Sequence, residues 1–449
     1  MQTPLSQKRK PGHRFLCLML LHVLMVWQLT CPASVAGMDL LEAYAKAKEH
    51  DPLFGASRYE REAAETLPAQ GRARLLPQIQ ASGTYAKFHY DTGPYYYHDF
   101  TSESLGLSMR QPLLNVPKLY EYRQHKIRRE AGDVRFTSAE QDLILRLAEA
   151  YFNALAAKNV LEVTAAEKKA ILEQQEQAQQ RFQAGIGVIT DVHDAEARYH
   201  SLLAREIEAR NELAIKMQAL KRILGSEPEV LAPLRKDVPL GVPKPDSLEG
   251  WLEMAKKHHP RLKYYTLQID YQEAELKKNK GQHYPSLDLV AGYNKTNTNN
   301  AVIIPNLSYG SVGVQVNVPV FSGGYTTAKV REARAILEKV KKDYEGVLAD
   351  VTQRLSEAFL GMRADRKKIE ALLTARKSAA TSLESNRMSL QAGIRTTMDV
   401  LNAERELQLV QVRLLRARYD GLLNIIRLKA HAGVLSGEDL REINQWLQH

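Results

Sequence analysis

Two hydrophobic patterns alternate along this chain, and each of them occurs twice. Residues 118–182 and 326–390 contain no proline, and their apolar side chains recur at spacings of three and four. This spacing predicts two very long helices that pack as coiled coils. Each segment holds 65 residues, which corresponds to roughly 100 Å at the rise of an α-helix. Glycine breaks follow, and segments 190–224 and 397–432 then predict two return helices.

Between the helical segments the apolar period changes to two. Strand pairs are predicted at about 78–113 and about 286–321, where apolar and polar residues alternate, as at Val312, Val314 and Val316. A strand in a membrane barrel needs this alternation, because one face meets lipid and the other a lumen. A periplasmic β-sandwich alternates in the same way. The alternation by itself slightly favours the sandwich.

An amphipathic helix opens each half of the chain. These helices are predicted from Asp39 to Arg74, with a short interruption near Pro52, and from Ser247 to Gln282. Each ends just before a proline, which disfavours helix at the preceding residue. A return helix of about 35 residues cannot cover a long helix of 65. An opening helix stacked end to end on the return helix would supply the missing length.

The chain is an internal duplication. The tripeptide at 50–52 returns in similar form at 258–260, and Gln-Ala-Gly-Ile at 183–186 returns unchanged at 391–394. Five such matches share one offset of 208 residues, which indicates two homologous halves rather than a short solenoid repeat. The predicted organisation is a leader (1–36), a first repeat (37–225), a proline-rich linker (226–245), a second repeat (246–433) and a C-terminal tail (434–449).

The first 36 residues have the pattern of a secretory signal. Basic residues precede an apolar run of 15 residues, and the small residues 34–36 provide a cleavage site. Both cysteines, Cys17 and Cys31, lie in this segment, so the mature chain would contain no disulfide. Lipid attachment at Cys31 is disfavoured, because the preceding Gln28-Leu29-Thr30 matches a lipoprotein site poorly.

Charge and motifs exclude several classes of function. The net charge is +10, but the signs alternate along the chain, which is typical of a solvated surface and not of a nucleic-acid site. No catalytic or phosphate-binding motif occurs, so we expect neither an enzyme nor a cofactor. The pair His258-His259 has no partner at metal-ligand spacing, which favours a helix surface over a metal site. After the leader no apolar run approaches 18 residues. An exported chain of this kind is periplasmic, secreted or inserted as a β-barrel.

If the strands lie in a membrane, several chains must share one barrel. Four strands cannot close, and an open edge in lipid leaves backbone groups without hydrogen bonds. Two chains would supply eight strands, whose interior side chains fill, whereas three would supply twelve, enough for an open lumen. The same chains would contribute their long helices to a coaxial helical barrel.

At this point two motifs resemble a known family. Val-Pro-Val-Phe-Ser-Gly-Gly at 318–324 precedes the second long helix, and Gln-Ala-Gly-Ile-Arg-Thr-Thr-Met-Asp-Val-Leu-Asn-Ala at 391–403 follows it. With the order of elements, they resemble the TolC-type outer-membrane channel-tunnel family over nearly all of the mature chain. The resemblance implies a mainly α fold with inserted β: a long α-helical barrel continuous with a trimeric 12-stranded transmembrane β-barrel, four strands per chain.

The resemblance also implies function and partners. It implies a passive export duct in the outer-membrane lipid, assembled as a homotrimer, with a tunnel through the periplasm. Its inner end would dock a periplasmic adaptor (membrane fusion) protein and an inner-membrane ABC exporter or proton-driven pump. The cargo and the choice of pump stay undetermined. The alternative is a periplasmic coiled-coil adaptor, although adaptors usually carry one helical hairpin.

The resemblance further implies a gate at the periplasmic tip, where the long helices turn back. Asp399 would line the constriction, and Arg395 would pair with Asp191 across neighbouring coils as a latch. In the family pattern a second aspartate follows three residues later; here that position is Asn402, whereas Asp194 follows Asp191 at this spacing. A different interpretation is that Asp191 and Asp399 simply cap the return helices.

Overall fold

The structure is a computed structural model that describes residues 37–91, 97–228, 230–235, 244–299 and 306–447. The expected leader, with Cys31, lies outside these residues. In the first repeat the elements are α1 (Leu40–His50), α2 (Pro52–Glu65), α3 (Leu67–Ala73), β1 (Gln78–Asp91), β2 (Tyr97–Leu114), α4 (Val116–Gln183) and α5 (Ile189–Leu224). They are followed by α6 (Leu248–His258), α7 (Pro260–Gly281), β3 (Ser286–Thr298), β4 (Leu307–Asn317), α8 (Tyr325–Gln391), α9 (Thr397–His431) and α10 (Gly437–Asn444).

The four strands form one antiparallel sheet in the order β1-β2-β3-β4. Ile79, Met109, Ala291 and Val312 stand in register across it, and the neighbouring row is Gln80, Ser108, Gly292 and Ser311. Because side chains alternate between the faces of a strand, the first row belongs to an apolar face and the second to a polar face. Ile79 and Val312 are exposed in the isolated chain.

Three boundaries differ from the sequence prediction, one of which is a break at His259 in the opening helix of the second repeat. The strand expected to reach Phe321 ends at Asn317, because Pro319 lacks the N–H group that a further ladder position requires. The opening helix of the first repeat breaks twice rather than once: at Asp51, and again at Thr66, just before Pro68. Proline near the start of a helix removes no intrahelical hydrogen bond, so both breaks are at positions where proline is tolerated.

Each long helix is covered by an opening helix and a return helix placed end to end. α4 packs against α2, α3 and α5, and α8 packs against α7 and α9. The return helices end at Gly225 and Gly433, which both have a positive φ, and these glycines lie against His50 and His259 at the breaks of the opening helices. The composite helix inferred from the segment lengths therefore has a physical junction in each repeat.

The largest hydrophobic core surrounds the first of these junctions. It joins α1, α2, α4, α5, α9 and α10, and its largest fully buried side chains include Tyr151, Phe152 and Phe54. A smaller cluster around Trp251 and Leu355 joins α6, α8 and α9 at the second junction. Burial of these aromatic and aliphatic side chains is the main force that holds the helices together at this level.

Part of the linker between the two repeats is packed against the hydrophobic core. Leu231 and Ala232 are buried, and the backbone of Ala232 donates to the Met38 carbonyl oxygen at 3.1 Å. The tail lies beside it: Arg235 N donates to the Trp446 carbonyl at 2.9 Å. Residues 229 and 236–243 of the linker lie outside the description. The described part of the linker thus contacts both the start of the first repeat and the C-terminal tail.

Within the described residues, no helix combines the length and the apolar composition that crossing a bilayer requires.

Candidate functional site

The tips of the two helical hairpins are built alike. α4 and α8 end in turns whose glycines, Gly185 and Gly393, have a φ of 73°. The amide of Ile186 closes the first turn on the Arg181 carbonyl at 3.1 Å, and the amide of Ile394 closes the second on Ser389 at 2.9 Å. Bonds over six residues around a left-handed glycine satisfy carbonyls that the helix end leaves free. The sequence identity of the two turns therefore produces the same backbone geometry.

Asp399 is the third residue of α9 and forms a reciprocal capping box with the N-cap residue, Thr396. Its Oδ2 accepts from Thr396 N at 2.9 Å and from Thr396 Oγ1 at 2.8 Å, and Thr396 in turn caps Asp399 N. The backbone hydrogen bond from Thr396 is the main cause that lowers the pKa of Asp399, with its hydroxyl and Arg395 adding to it. Asp399 is therefore a stable anion at neutral pH. The capping interpretation is correct for this residue, and it leaves a role in a pore open.

The structure brings Arg395 to Asp399 rather than to Asp191. Arg395 Nη1 lies 3.4 Å from Asp399 Oδ1, four residues along the same helical turn. Asp191 instead meets Thr397, whose Oγ1 lies 3.5 Å from Asp191 Oδ2. Within one chain, and among the described residues, Arg395 makes no ion pair with Asp191. A pair between neighbouring chains stays a proposal.

Asn402 and Asp194 both lie on the surface of the isolated chain, one turn beyond Asp399 and Asp191. Asp191 occupies the first turn of α5, whose N-cap is Val188 and has no side-chain cap. Its negative charge near a helix N-terminus is favourable. The four predicted acidic and amide residues thus share one end of the molecule, but Asp191 and Asp399 are in different local environments.

The sequence analysis missed a buried carboxylate that joins the two hairpins. Glu404 on α9 is buried and accepts from Gln174 Nε2 of α4 at 2.9 and 3.0 Å and from Arg387 of α8 at 2.7 Å. Its position four residues after Val400, on the apolar face of α9, was the available signal. A buried carboxylate needs such partners, so this contact fixes how the first hairpin meets the second.

No group of three or more potential metal ligands occurs among the described residues. His258 is exposed, as expected for a helix surface, whereas His259 is partly buried. It is the N-cap of α7, its Nδ1 accepts from Arg261 N at 3.1 Å, and it lies beside Gly433. His259 thus lies at a helix start that the end of α9 partly covers, and not on a fully exposed helix surface.

The fold and the tips together define a class: a duplicated helical-hairpin protein with a two-faced four-stranded sheet inserted between the helices. The sequence matches the family described as "Outer membrane efflux protein" over residues 43–226 and 251–434, one match for each repeat. The chain belongs to this family, and the resemblance to TolC-type channels is confirmed.

Similar proteins of known role agree with this assignment. The chain is 33% identical over 416 residues to the alkaline protease secretion protein AprF of Pseudomonas aeruginosa, covering 90% of this chain and 86% of AprF. It is 31% identical over 423 residues to the outer membrane protein TolC of Vibrio cholerae, covering 93% and 96%. Membership of this family makes the chain an outer-membrane export channel and not a periplasmic adaptor.

Solved structures show the same fold at lower sequence identity. CusC superimposes with a TM-score of 0.77 at 16% identity, covering 89% of this chain and 93% of CusC. The outer membrane protein VceC of Vibrio cholerae superimposes with a TM-score of 0.75 at 17% identity, covering 88% and 96%.

Proposed function

We propose that three copies of this chain form a passive export duct, a 12-stranded barrel in the outer membrane that continues into a helical tunnel through the periplasm. The observation that carries this proposal is the open sheet. All four strands share one apolar face, and among the described residues β1 and β4 each have only one neighbour. Pairing β4 of one copy with β1 of the next would satisfy both edges in lipid.

The helices support the same head-to-tail contact. Within one chain, α4 of the first repeat packs against α7 of the second: Arg128 lies over the ring of Tyr271 at 5.7 Å, and Gln124 donates to Glu275 at 2.7 Å. The 208-residue offset maps Arg128 to Ile336 and Tyr271 to Ala63. The equivalent contact would therefore join α8 of one copy to α2 of the next.

The surfaces that this second contact requires are exposed in the isolated chain. On α2 they form a stripe of Ala56, Tyr59, Ala63 and Thr66, and on α8 a stripe of Ala335, Ile336, Lys339 and Lys342. Their counterparts on α7 and α4 are covered: Leu267 and Ala274 are buried against Ile127 and Ala131. Tyr59 is 71% exposed, whereas its counterpart in the second repeat, Leu267, is buried. A second copy fits these two stripes, and repeated head-to-tail contacts close a ring.

Cysteine crosslinking tests this contact. We expect the Ala63→Cys/Ile336→Cys variant to form disulfides between chains and to give covalent trimers on non-reducing gels. The mapped register makes these two residues the counterparts of Tyr271 and Arg128, whose side chains contact each other within one chain. Outside residues 1–36 the chain contains no cysteine, so the background is clean.

The matched control is Ala63→Cys/Ala349→Cys. Ala349 is also exposed on α8, but it lies 13 residues further along, or about 20 Å at the helical rise. This control should stay monomeric on the gel. Equal crosslinking of both pairs, or none of either in membranes that contain the folded protein, would contradict the proposed interface.

The gate is the second part of the proposal. In a closed ring, Asp399 of three copies would form a ring of carboxylates that favours cations in a narrow pore, with Asn402 adjoining it. Arg395 would reach Asp191 of a neighbouring coil as a breakable latch, and Asp194 is a further candidate partner. Exposed ion pairs contribute about 0.2–1 kcal/mol each. A single pair is therefore easily broken, whereas three pairs together would favour the closed tip over the open one.

Single-channel recording in a planar bilayer tests the duct and the latch together. The wild-type protein should insert and give stepwise, cation-preferring conductance. Arg395→Gln or Asp191→Asn should raise the open-state population roughly 3- to 100-fold, because three pairs are lost at once. Arg181→Gln, an exposed arginine of the same tip, should leave it unchanged. An unchanged open-state population in both latch variants would contradict the latch. Failure of the wild-type protein to form pores would contradict the duct.

The partners follow from this role. A passive duct needs an energy source elsewhere, so we propose a periplasmic adaptor protein at the helical tips and an inner-membrane ABC exporter or proton-driven pump below it. AprF is named for the secretion of a protease, which favours an ABC exporter and a protein cargo. Copurification with an exporter encoded beside this chain would distinguish the two pumps.

A further inference from the structure

The two end-to-end helix junctions have the same geometry but different chemistry. In each repeat the end of the return helix, at Gly225 or Gly433, abuts the break of the opening helix. The residue that caps the next helix at this break is Asp51 in the first repeat and His259 in the second. Since the two positions are related by the 208-residue offset, the first junction is an internal reference for the second.

The first junction is held by a carboxylate. Asp51 Oδ1 accepts from Phe54 N at 2.7 Å, and the two carboxylate oxygens accept from Arg146 of α4 at 3.0 and 3.2 Å. Burial acts to raise the pKa of Asp51, but these hydrogen bonds and the charge of Arg146 outweigh it and hold the pKa below its usual value. The cap therefore remains an acceptor well into the acidic range.

The second junction is held by an imidazole. His259 Nδ1 accepts from Arg261 N at 3.1 Å, which requires that nitrogen to carry no proton. Arg354, the counterpart of Arg146, donates to Asp350 at 3.0 Å, and Asp350 also accepts from Arg261 at 2.5 Å. Protonation of His259 would turn its only acceptor into a donor and remove the cap.

Three arginines and two carboxylates surround the histidines of the second junction. His431 of α9 replaces the buried Ile223 of the first repeat and lies near His259. The charged groups that face the two histidines come from every packed helix: Arg261 from α7, Asp350, Arg354 and Glu357 from α8, and Arg427 from α9. The guanidinium of Arg427 is bound to Glu149 of α4 at 2.7 Å, so this acid is already engaged.

We propose that the second junction is an acid-sensitive hinge. Protonation of His259 and His431 removes the cap of α7 and places two new cations among three arginines, which releases the end of α9 from the opening helix. The first junction, with Asp51 and Ile223 at these positions, stays closed. α9 carries Asp399 at its opposite end, so the hinge anchors the helix that bears the candidate gate; the contacts lie within one chain and do not depend on the proposed duct.

The sign of the pH dependence follows from the direction of the shift. Burial, followed by His431 and Arg261, lowers the pKa of His259 to about 4, and burial also lowers the pKa of His431. A histidine whose pKa is lower in the closed state than its free value near 6.5 contributes fully above pH 6.5. Its contribution falls as the pH drops from about 6.5 to about 4. Each histidine then favours opening by up to about tenfold per pH unit.

Hydrogen exchange measured by mass spectrometry on the whole detergent-solubilised protein tests the hinge. Exchange of the amides at 261–263, corrected for the intrinsic effect of pH, reports the second junction, and exchange at 53–55 reports the first. Between pH 6.5 and pH 4.5 we expect the corrected opening at the second junction to rise by at least about tenfold, with a change below about twofold at the first.

Variants separate this proposal from general acid loosening. His259→Asp/His431→Ile copies the first junction into the second repeat and should abolish the acid response. His259→Asn, a cap that does not titrate, should reduce it if the double variant folds poorly. His258→Gln, which removes the exposed neighbour, should leave the response intact. An equal acid response at both junctions of the wild type, or a response that persists in the double variant, overturns the proposal.

Discussion

Replacing Gly433 with alanine should destabilise the protein by about 2–5 kcal/mol, more than the same change at Gly393. Both glycines have a φ near 72°, where an L-residue costs roughly 1–2 kcal/mol. A Cβ on Gly433 would lie 2.4 Å from the Cα of His259 and 2.7 Å from its backbone nitrogen. Backbone atoms at a packed junction cannot move aside as a flexible side chain can, so a further cost of about 1–3 kcal/mol follows.

The variant Gly393→Ala is the control that separates the steric cost from the conformational cost. A Cβ on Gly393 meets nothing within 4 Å, so Gly393→Ala should cost only the roughly 1–2 kcal/mol of the backbone conformation. Gly225→Ala should be intermediate, since its nearest neighbour is the side-chain Cβ of His50 at 2.8 Å. Urea unfolding of the detergent-solubilised protein, followed by circular dichroism, gives the three values. An equal loss in the free energy of unfolding for Gly433→Ala and Gly393→Ala would mean that the return helix does not pack closely against the opening helix at this junction.

Replacing Asp51 with alanine should cost about 2–4 kcal/mol, because Arg146 loses two hydrogen bonds to a buried carboxylate and keeps only the exposed Asp142 as a partner. The Asp51 side chain is 3% exposed and that of Arg146 is 24% exposed. The change also removes the cap on Phe54 N, which contributes about 1 kcal/mol of the total. Asp51→Asn keeps an acceptor for the cap but not the charge, so the difference between the two variants separates the ion pair from the cap.

The matched control for Asp51 is Asp142→Asn. Asp142 accepts from the same arginine at 2.6 Å, but its side chain is 59% exposed, so its loss should cost at most about 1 kcal/mol. Because the pKa of Asp51 is lowered on folding, its contribution should be complete above about pH 4 and decline as the pH falls through the lowered value. A cost for Asp51→Ala no larger than that for Asp142→Asn would show that the pair does not hold the first junction.

The repeat relationship gives these variants an unusual use. The two junctions have the same backbone geometry. One is capped by a carboxylate that an arginine binds, and the other by an imidazole. Exchange of single residues between equivalent positions therefore tests chemistry without changing the fold. The same relationship identifies the surfaces that we propose a second copy covers, because the contact between α4 and α7 has an equivalent on α8 and α2 that is exposed in the isolated chain.

The sequence by itself determined the long helices, the strand pairs, the duplication and the paired tips. These features follow from local periods of 3.6 and 2 and from a fixed offset, which do not depend on which distant segments meet. α4, for example, begins at Val116 and ends at Gln183, close to the expected 118–182. The family resemblance rested on the same ordered motifs.

Only the tertiary structure decided the partners of individual polar groups. It joined Arg395 to Asp399, buried Glu404 between three helices, placed the end of α9 against His259 and packed the linker against Met38 and Trp446. A side-chain contact of 3 Å depends on the relative register of helices that are distant in the chain, and a period along one helix carries no information about that register. Periodicity therefore predicts which face of a helix is buried, but not which charge meets which.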